Sequence, residues 1–140
     1  MPELSLMQVK SFSLIELLIT IIVIGVALTF AIPSYNNSIE RNKAKSAKIN
    51  LMSIYNAQKR QRLDTGSYYV CDPNCTDKKI KNNLDVDLTD VHFDYNIKLP
   101  AGKTSGYEVI ATRSEGPCAG QTMSIDDSSG EVTSTCAIWD

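Results

Sequence analysis

Residues 12–32 form an uninterrupted apolar run that contains a single charge, Glu16. At about 1.5 Å of rise per residue, a helix of this length is about 30 Å long, which matches the hydrocarbon core of a bilayer. A helix can cross lipid as a lone segment because it satisfies its backbone hydrogen bonds internally. The rest of this 140-residue chain is too small to enclose such a helix in a soluble core. The run therefore predicts a membrane-spanning helix near the amino terminus.

An ordinary cleaved secretory signal is the main alternative for this run. Thr29 and Ala31 supply the small residues that a signal peptidase site requires. Against that interpretation, the run is longer than a usual signal core, and the segment before it carries one basic residue, Lys10. A carboxylate inside the run is also atypical of a signal peptide. We therefore favour a helix that is retained.

The carboxylate of Glu16 needs a partner if it lies in lipid. A charged side chain at the membrane centre costs about 3 kcal/mol on insertion scales. Lys10 lies six residues upstream, off the three- or four-residue spacing of helical ion pairs. Cleavage just before Phe12 would create a new cation, the freed α-amino group, for a neighbouring copy's Glu16. Ion pairs in apolar surroundings gain Coulomb energy but lose hydration, and their best-attested use is to fix register.

Several segments resemble those of one family. Residues 11–18, SFSLIELL, resemble the class III signal of type IV pilins and pseudopilins. Residues 31–35, AIPSY, resemble that family's helix-breaking proline segment, and residues 66–69, GSYY, its turn after the helix. The pattern of SSG at residues 128–130 followed by CAIW at residues 136–139 is similar to the final hairpin and carboxyl terminus of minor pilins.

The resemblance implies how the chain is processed. Residues 1–11 would be a leader, which a prepilin peptidase removes between Ser11 and Phe12 on the cytoplasmic face of the membrane. The new amino terminus, Phe12, would be N-methylated, and Glu16 would be the assembly carboxylate. The family prefers glycine just before the cut, whereas this chain has Ser11. Serine is also small, so we expect cleavage to proceed, but more slowly.

We expect one long helix over residues 13–63. Residues 12–33 would be its transmembrane and assembly half, and residues 34–65 an amphipathic half that lies against a globular head. Gly66 is a plausible C-cap. The inward side of the second half is marked by residues at three- and four-residue steps: Ala44, Ala47, Leu51, Ile54, Tyr55 and Gln58.

Two residues weaken the first half of this helix. Pro33 removes a backbone donor and clashes with the preceding turn, and Gly25 has low helix propensity. We therefore expect the helix to kink or unwind near Gly25 and Pro33 when subunits pack in a filament. The alternative is that Pro33 only marks the exit from the membrane.

The remainder of the chain predicts an α+β, type IV pilin-like fold, with the long helix packed on a small antiparallel sheet. Residues 66–90 are rich in Asp, Asn and Lys and are predicted to form an irregular loop. Within residues 91–140, Gly- and Pro-containing turns separate four β-type runs: residues 91–97, 107–112, 121–125 and 131–135. Because these runs lie close in sequence, an antiparallel meander is the simplest sheet.

The four cysteines, Cys71, Cys75, Cys118 and Cys136, allow three pairings. They are expected outside the cytoplasm, where disulfides persist. We favour Cys71–Cys75 together with Cys118–Cys136, which ties the last strand to the turn before the third strand. Closing a loop of the latter length is worth about 3 kcal/mol in the chain-entropy model. A zinc site made of all four thiolates is the alternative.

Other potential ligand groups give weak signals. Residues 126–131, DDSSGE, suggest a calcium loop, but they lack the ligand spacing of an EF-hand, so we favour a hairpin turn. His92 has no second His or nearby cysteine in sequence and is interpreted as structural. We predict no metal and no cofactor.

Charge is sorted along the chain. Residues 34–64 carry seven basic and two acidic side chains, whereas residues 65–140 carry six basic and twelve acidic ones. A basic stretch can bind DNA or anionic lipid. Aromatic residues that would stack on bases are not interleaved with it, and the whole chain has a net charge of −2. We therefore favour a solvated face that complements acidic heads of neighbouring subunits, which argues against nucleic acid as a partner.

These patterns predict a structural protein. No nucleophile–base or phosphate-loop arrangement is present in the sequence, so we expect no enzyme. The favoured function is a pilin or minor pilin, inserted in the bacterial inner membrane and assembled with copies of itself or related subunits into a surface filament. Its expected partners are prepilin peptidase, the inner-membrane assembly machinery and, before assembly, lipid. The alternatives are a type II secretion pseudopilin and a monomeric, membrane-anchored binding domain.

Overall fold

The computed structural model describes residues 13–88 and 91–139. The chain divides into two compact units, Met1–Asn36 and Asn37–Asp140. The elements in chain order are α1 (Leu14–Thr65), α2 (Asp77–Leu84), β1 (Phe93–Lys98), β2 (Glu108–Arg113), β3 (Thr122–Asp126), β4 (Thr133–Ser134) and a 3₁₀ turn (Ala137–Trp139). The predicted α+β, type IV pilin-like architecture, a long helix packed on an antiparallel sheet of four strands, is confirmed.

In the first unit, the apolar side chains of α1 are exposed among the residues that the structure describes. Every residue from 13 to 32 is exposed, and Leu14 and Phe30 are 82% and 77% accessible. By length and composition this part of α1 is able to cross a membrane. The hydroxyls of Thr20 and Thr29 donate to the carbonyl oxygens of Glu16 and Val26, at 2.6 and 2.7 Å. These bonds keep both hydroxyls satisfied within the helix, as an apolar surrounding requires.

α1 runs without a break through Gly25 and Pro33. The predicted kink concerns subunits packed in a filament, so it stays a prediction. At its other end α1 closes as expected. Gly66 adopts a left-handed φ of +79° and donates its N–H to the carbonyl oxygen of Arg62 at 2.9 Å.

In the second unit, one side of α1 packs on the sheet. Its buried residues recur at three- and four-residue steps: Ala44, Ala47, Leu51, Ile54, Ala57 and Gln58. The alanines let the helix backbone approach the sheet, while Leu51 and Ile54 fill the space between, because both side chains are fully buried. Tyr55, predicted on the inward side, is partly buried against this core.

The sheet is an antiparallel meander in the order β1-β2-β3-β4. Burial alternates along each of the first three strands, so one face packs on α1 and the other faces outward. β4 is only two residues long, shorter than the predicted run over residues 131–135. Gly130, just before that segment, has a left-handed φ of +63°, and the disulfide at Cys136 follows its end.

The prediction of an irregular loop over residues 66–90 was wrong in part, because α2 lies within it. The Thr76 hydroxyl caps α2 by accepting from the Lys79 N–H at 3.3 Å. Ile80 and Leu84, one helical turn apart, are buried against the core, and Asp85 ends the helix in the left-handed region with a φ of 51°. Two apolar residues in a polar stretch gave too weak a periodic signal to predict the helix.

Candidate functional site

The predicted assembly residues lie at the start of α1. Ser11 and Phe12 are outside the described residues, so the predicted cleavage and methylation positions remain predictions. Glu16 lies in the first turn of α1 and is exposed. Residues 13–36 contain no Lys, Arg or His, so no side-chain cation in this stretch can neutralise the carboxylate. Its counterion must come from elsewhere in the chain or from another molecule.

The cysteines form two disulfides, Cys71–Cys75 and Cys118–Cys136, with Cα atoms 4.9 and 6.0 Å apart. This is the pairing that the sequence favours. Because no thiol is left free, the zinc alternative has no thiolate ligands. The first disulfide closes a small loop beside β1, where Ile97 donates its N–H to Cys75 Sγ at 3.2 Å. The second joins the β2–β3 turn to the segment after β4.

A buried ion pair joins α1 to the sheet. The guanidinium of Arg113 binds both carboxylate oxygens of Glu40, at 2.8 and 3.2 Å, and both side chains are almost fully buried. Arg113 also donates to the His92 carbonyl oxygen at 2.8 Å. These hydrogen bonds outweigh the cost of burial and hold the pKa of Glu40 below its usual value. This pair was not predicted from the sequence.

The carboxyl-terminal segment is attached to the same pair. Trp139 donates its indole N–H to Glu40 at 3.4 Å, and its ring packs on Phe93 with centroids 5.6 Å apart. Arg41, the next residue on α1, donates to the Ile138 carbonyl oxygen at 3.0 Å.

Gly116 has a φ of +91°, and a Cβ there would lie 3.2 Å from Arg113 Nη2. The position therefore favours glycine both for its backbone conformation and for space.

Gln58 fixes the connection that leaves α1. Its amide donates to the Tyr69 carbonyl oxygen at 2.7 Å and accepts from the Tyr69 N–H at 2.9 Å. Gln58 is fully buried, so both of these backbone groups are satisfied away from water. Gln58 was predicted only as one of the inward-facing residues of α1, but its two hydrogen bonds also hold the loop after α1 in place.

The segment suggested as a calcium loop is a hairpin turn. The Asp126 carboxylate accepts from the backbone N–H groups of Ser128 and Ser129 at 3.0 and 2.6 Å. The bonds from Ser129 and Ser128 lower the pKa of Asp126 to about 2. Both backbone hydrogen bonds are accepted by one carboxylate oxygen, Oδ1, which fixes the turn. In the part of the chain that the structure describes, no cluster of acidic, His or Cys side chains is arranged for a metal.

A polar groove of about 270 Å³ lies between the end of α1 and the β1–β2 loop. Arg62 donates to the Tyr68 hydroxyl at 2.7 Å and lies over its ring. Tyr68 packs edge-on against Tyr107, whose pKa is raised by burial. Asp127 also lines the groove and lies against Gly106, where a Cβ would approach its carboxylate to 2.9 Å. The glycine keeps room for this side chain.

α2 carries three exposed lysines that were not predicted to lie on a helix. Lys78, Lys79 and Lys81 are exposed on this short helix. Lys79 donates to the Asn74 carbonyl oxygen at 2.9 Å, and Lys81 pairs with Asp87 at 2.6 Å. Because residues 66–90 were predicted to be irregular, these lysines were not predicted to lie on a helix.

Comparisons with known proteins agree with this architecture. Residues 33–136 match a family described as type IV minor pilin ComP, DNA uptake sequence receptor. The chain is 30% identical over 120 residues to the type IV major fimbrial protein FimA of Dichelobacter nodosus, spanning 83% of this chain and 74% of FimA. It is 42% identical over 50 residues to the type IV major pilin protein PilA of Myxococcus xanthus, spanning 36% of this chain and 23% of PilA.

The protein is thus a type IV pilin, a structural subunit rather than an enzyme. Within that class the chain belongs to the minor pilin ComP, DNA uptake sequence receptor family, whose model matches most of its length. The predicted family and the predicted absence of enzymatic activity are confirmed. The description of the matched family as a DNA receptor stands against the expectation, drawn from charge, that nucleic acid is not a partner.

Proposed function

We propose that this pilin is inserted in the inner membrane, cleaved between Ser11 and Phe12, N-methylated on Phe12, and assembled into a surface filament. The observation that carries the proposal is an exposed apolar helix with one carboxylate, Glu16, in a chain whose head is folded by its own contacts. Such a helix finds an apolar environment either in lipid or among the helices of other subunits. Prepilin peptidase and inner-membrane assembly proteins are the partners that these steps require.

The mechanism is association rather than catalysis. In lipid or in a helix bundle, the Glu16 carboxylate is stabilised by the methylated amino group of a neighbouring Phe12. Methylation keeps that nitrogen cationic, so the pair fixes the offset between adjacent helices. Apolar side chains move from lipid to other helices, and close packing rather than expulsion of water therefore supplies the favourable contacts.

Mass spectrometry of the mature amino terminus tests the processing steps. We expect a chain that begins at Phe12 and carries one methyl group. A population that still begins at Met1 in cells with active prepilin peptidase would overturn cleavage at Ser11. As a matched variant, Ser11→Gly should increase the processed fraction, because glycine is the residue that the family prefers before the cut.

Two alternatives predict different phenotypes. A type II secretion pseudopilin predicts lost secretion on deletion without lost surface filaments, whereas a pilin predicts the reverse. A monomeric anchored domain predicts an uncut leader and no assembly defect in Glu16→Ala. Our proposal predicts that Glu16→Ala accumulates in the membrane but enters filaments poorly, while Ser13→Ala, a neighbouring substitution without a charge change, assembles normally.

DNA binding is a second candidate function. The matched family is described as a DNA uptake sequence receptor, and α2 presents the exposed lysines Lys78, Lys79 and Lys81. Phosphate contacts by lysine release counterions, so the affinity of such a surface falls with salt. The acidic balance of the head limits this candidate to a local surface.

Fluorescence anisotropy of full-length protein in detergent with labelled duplex DNA tests this candidate. We expect K78A/K79A/K81A to weaken binding by about tenfold and to reduce its salt dependence. The triple variant K45A/K48A/K59A on α1 removes the same charge and serves as control. Equal losses in both variants would show a general charge effect, which contradicts a site on α2.

A further inference from the structure

One side of α1 in the second unit faces away from the sheet. We name the outer stripe the exposed residues that follow one another there at three- and four-residue steps: Lys45, Ile49, Met52, Asn56 and Arg60. Ile49 and Met52 remain 66% and 41% accessible. Single exposed apolar residues are ordinary, but these two lie about one helical turn apart. Lys45 precedes them on the stripe, and a second groove, different from the one at Arg62 and Tyr68, follows them.

The groove lies at the far end of the stripe. It has a volume of about 440 Å³ and is lined by Ser53, Asn56, Arg60, Asp85, Val86 and Asp87. The Asp87 carboxylate is already paired with Lys81 at 2.6 Å. Asp85 is exposed at the carboxyl end of α2 and makes no hydrogen bond or ion pair within the described residues. Asp85 is therefore the carboxylate in this groove that no described side chain neutralises by a direct bond, although Arg60 also lines the groove.

The opposite end of the stripe carries the matching charge. Lys45 is exposed and, among the residues that the structure describes, has no hydrogen-bond or ion-pair partner. It precedes Asn56, which lines the groove, by eleven residues, or about 16 Å along the helix axis. That distance exceeds the reach of a lysine side chain. A Lys45–Asp85 pair can therefore form only between two molecules displaced along α1.

We propose that the outer stripe is a contact between copies of this chain, in which Lys45 of one copy enters the Asp85 groove of the next. Ile49 and Met52 are covered by the same contact. The two halves of the interface are different surfaces, so the contact is heterologous and propagates into an open filament rather than closing a dimer. This inference rests on the proposed function, since it names the subunit contact of that filament.

Zero-length carbodiimide cross-linking of sheared filaments tests the contact directly. We expect a covalent dimer whose peptides include an amide bond between Lys45 and Asp85. Cross-linked filaments in which Lys45 is never joined to Asp85 overturn the inference and leave the filament proposal intact. A wild-type chain that forms no filaments overturns the proposed function instead, so the two failures are distinguishable.

Charge reversal provides a second, independent measurement. We expect Lys45→Glu and Asp85→Lys each to reduce filament yield about fivefold or more, and the double reversal to restore it to within about twofold. Glu131→Lys, at an exposed acid before β4 whose side chain makes no hydrogen bond or ion pair within the described residues, is the matched control and should assemble normally. Equal membrane levels of every variant show that folding is intact.

Single reversals with wild-type filament yield, or a double variant no better than either single, overturn the contact. A further outcome is that Lys45→Glu leaves filament yield unchanged but weakens DNA binding. That result assigns Lys45 to nucleic acid and also overturns the inference.

Discussion

The two parts of α1 are the same kind of helix with opposite dependence on their surroundings. Within residues 13–32 apolar side chains lie on every side of the helix and are exposed, whereas beyond Asn37 apolar residues recur on one side and are buried by the chain's own sheet. The first part therefore needs lipid or other subunits, and the second needs only its own head. A change from uniform to periodic hydrophobicity divides one helix between assembly and folding.

The largest effect on the self-contained part should come from Arg113→Ala. This substitution leaves the Glu40 carboxylate buried without its cation, which costs about 3–5 kcal/mol in comparable buried pairs. Urea unfolding of full-length protein in detergent, followed by circular dichroism, measures it. The double variant Glu40→Gln with Arg113→Met should be less destabilised than Arg113→Ala, because no charge is left buried. If the single and double variants unfold alike, the charge itself is not responsible.

A matched pair of substitutions sharpens the comparison between the two parts. Leu51→Ala removes a fully buried side chain and should destabilise the head by about 2–5 kcal/mol. Leu18→Ala, in the first part, should leave head unfolding unchanged, because Leu18 is 43% exposed and does not belong to the buried core. The fluorescence of Trp139, the single tryptophan, reports both unfolding curves. Equal destabilisation by both variants would contradict the division of α1.

The sequence predicted best where one physical signal dominates. The apolar run and the later three- and four-residue period predicted α1. The alternating runs between turns predicted the strands to within a few residues at most strand ends. The Glu40–Arg113 pair was not predicted, because charged side chains are normally assigned to the surface. The sequence does place both residues on buried faces, since Glu40 precedes Ala44 by one turn, and Arg113 alternates with Val109 and Ala111.

Contacts that depend on distant segments had no local signal. The hydrogen bonds of Gln58 require the chain to bring Tyr69 back beside α1. The groove at Asp85 depends on the packing of α2 against the core through Ile80 and Leu84. Neither geometry is contained in a window of adjacent residues. The assembly carboxylate was easier to recognise, because a lone acid in an apolar run is informative without any tertiary contact.

Acid should lower the folding stability of the head, because the folded structure favours the ionised form of the Asp126 carboxyl group. The pKa of Asp126 is lowered from 3.8 to about 2 by the hydrogen bonds of the turn. A lowered folded-state pKa adds stability that is complete above the unfolded pKa and is lost as the pH falls through the folded value. We therefore expect stability to fall between about pH 4 and pH 2. Asp126→Asn should reduce this pH dependence, measured by thermal unfolding at several pH values, and an unchanged slope would argue against the turn.

The smallest effect should come from the surface pair Lys81–Asp87. Both side chains are more than half exposed, and exposed ion pairs contribute about 0–1 kcal/mol because water and salt screen them. Lys81→Ala should therefore change the free energy of unfolding by less than about 0.5 kcal/mol. The same substitution also frees Asp87 beside the Asp85 groove, so it should strengthen capture of a neighbouring Lys45. Unfolding that hardly changes, together with more Lys45 cross-links in filaments, would separate the charges that fold the head from those that join one head to the next.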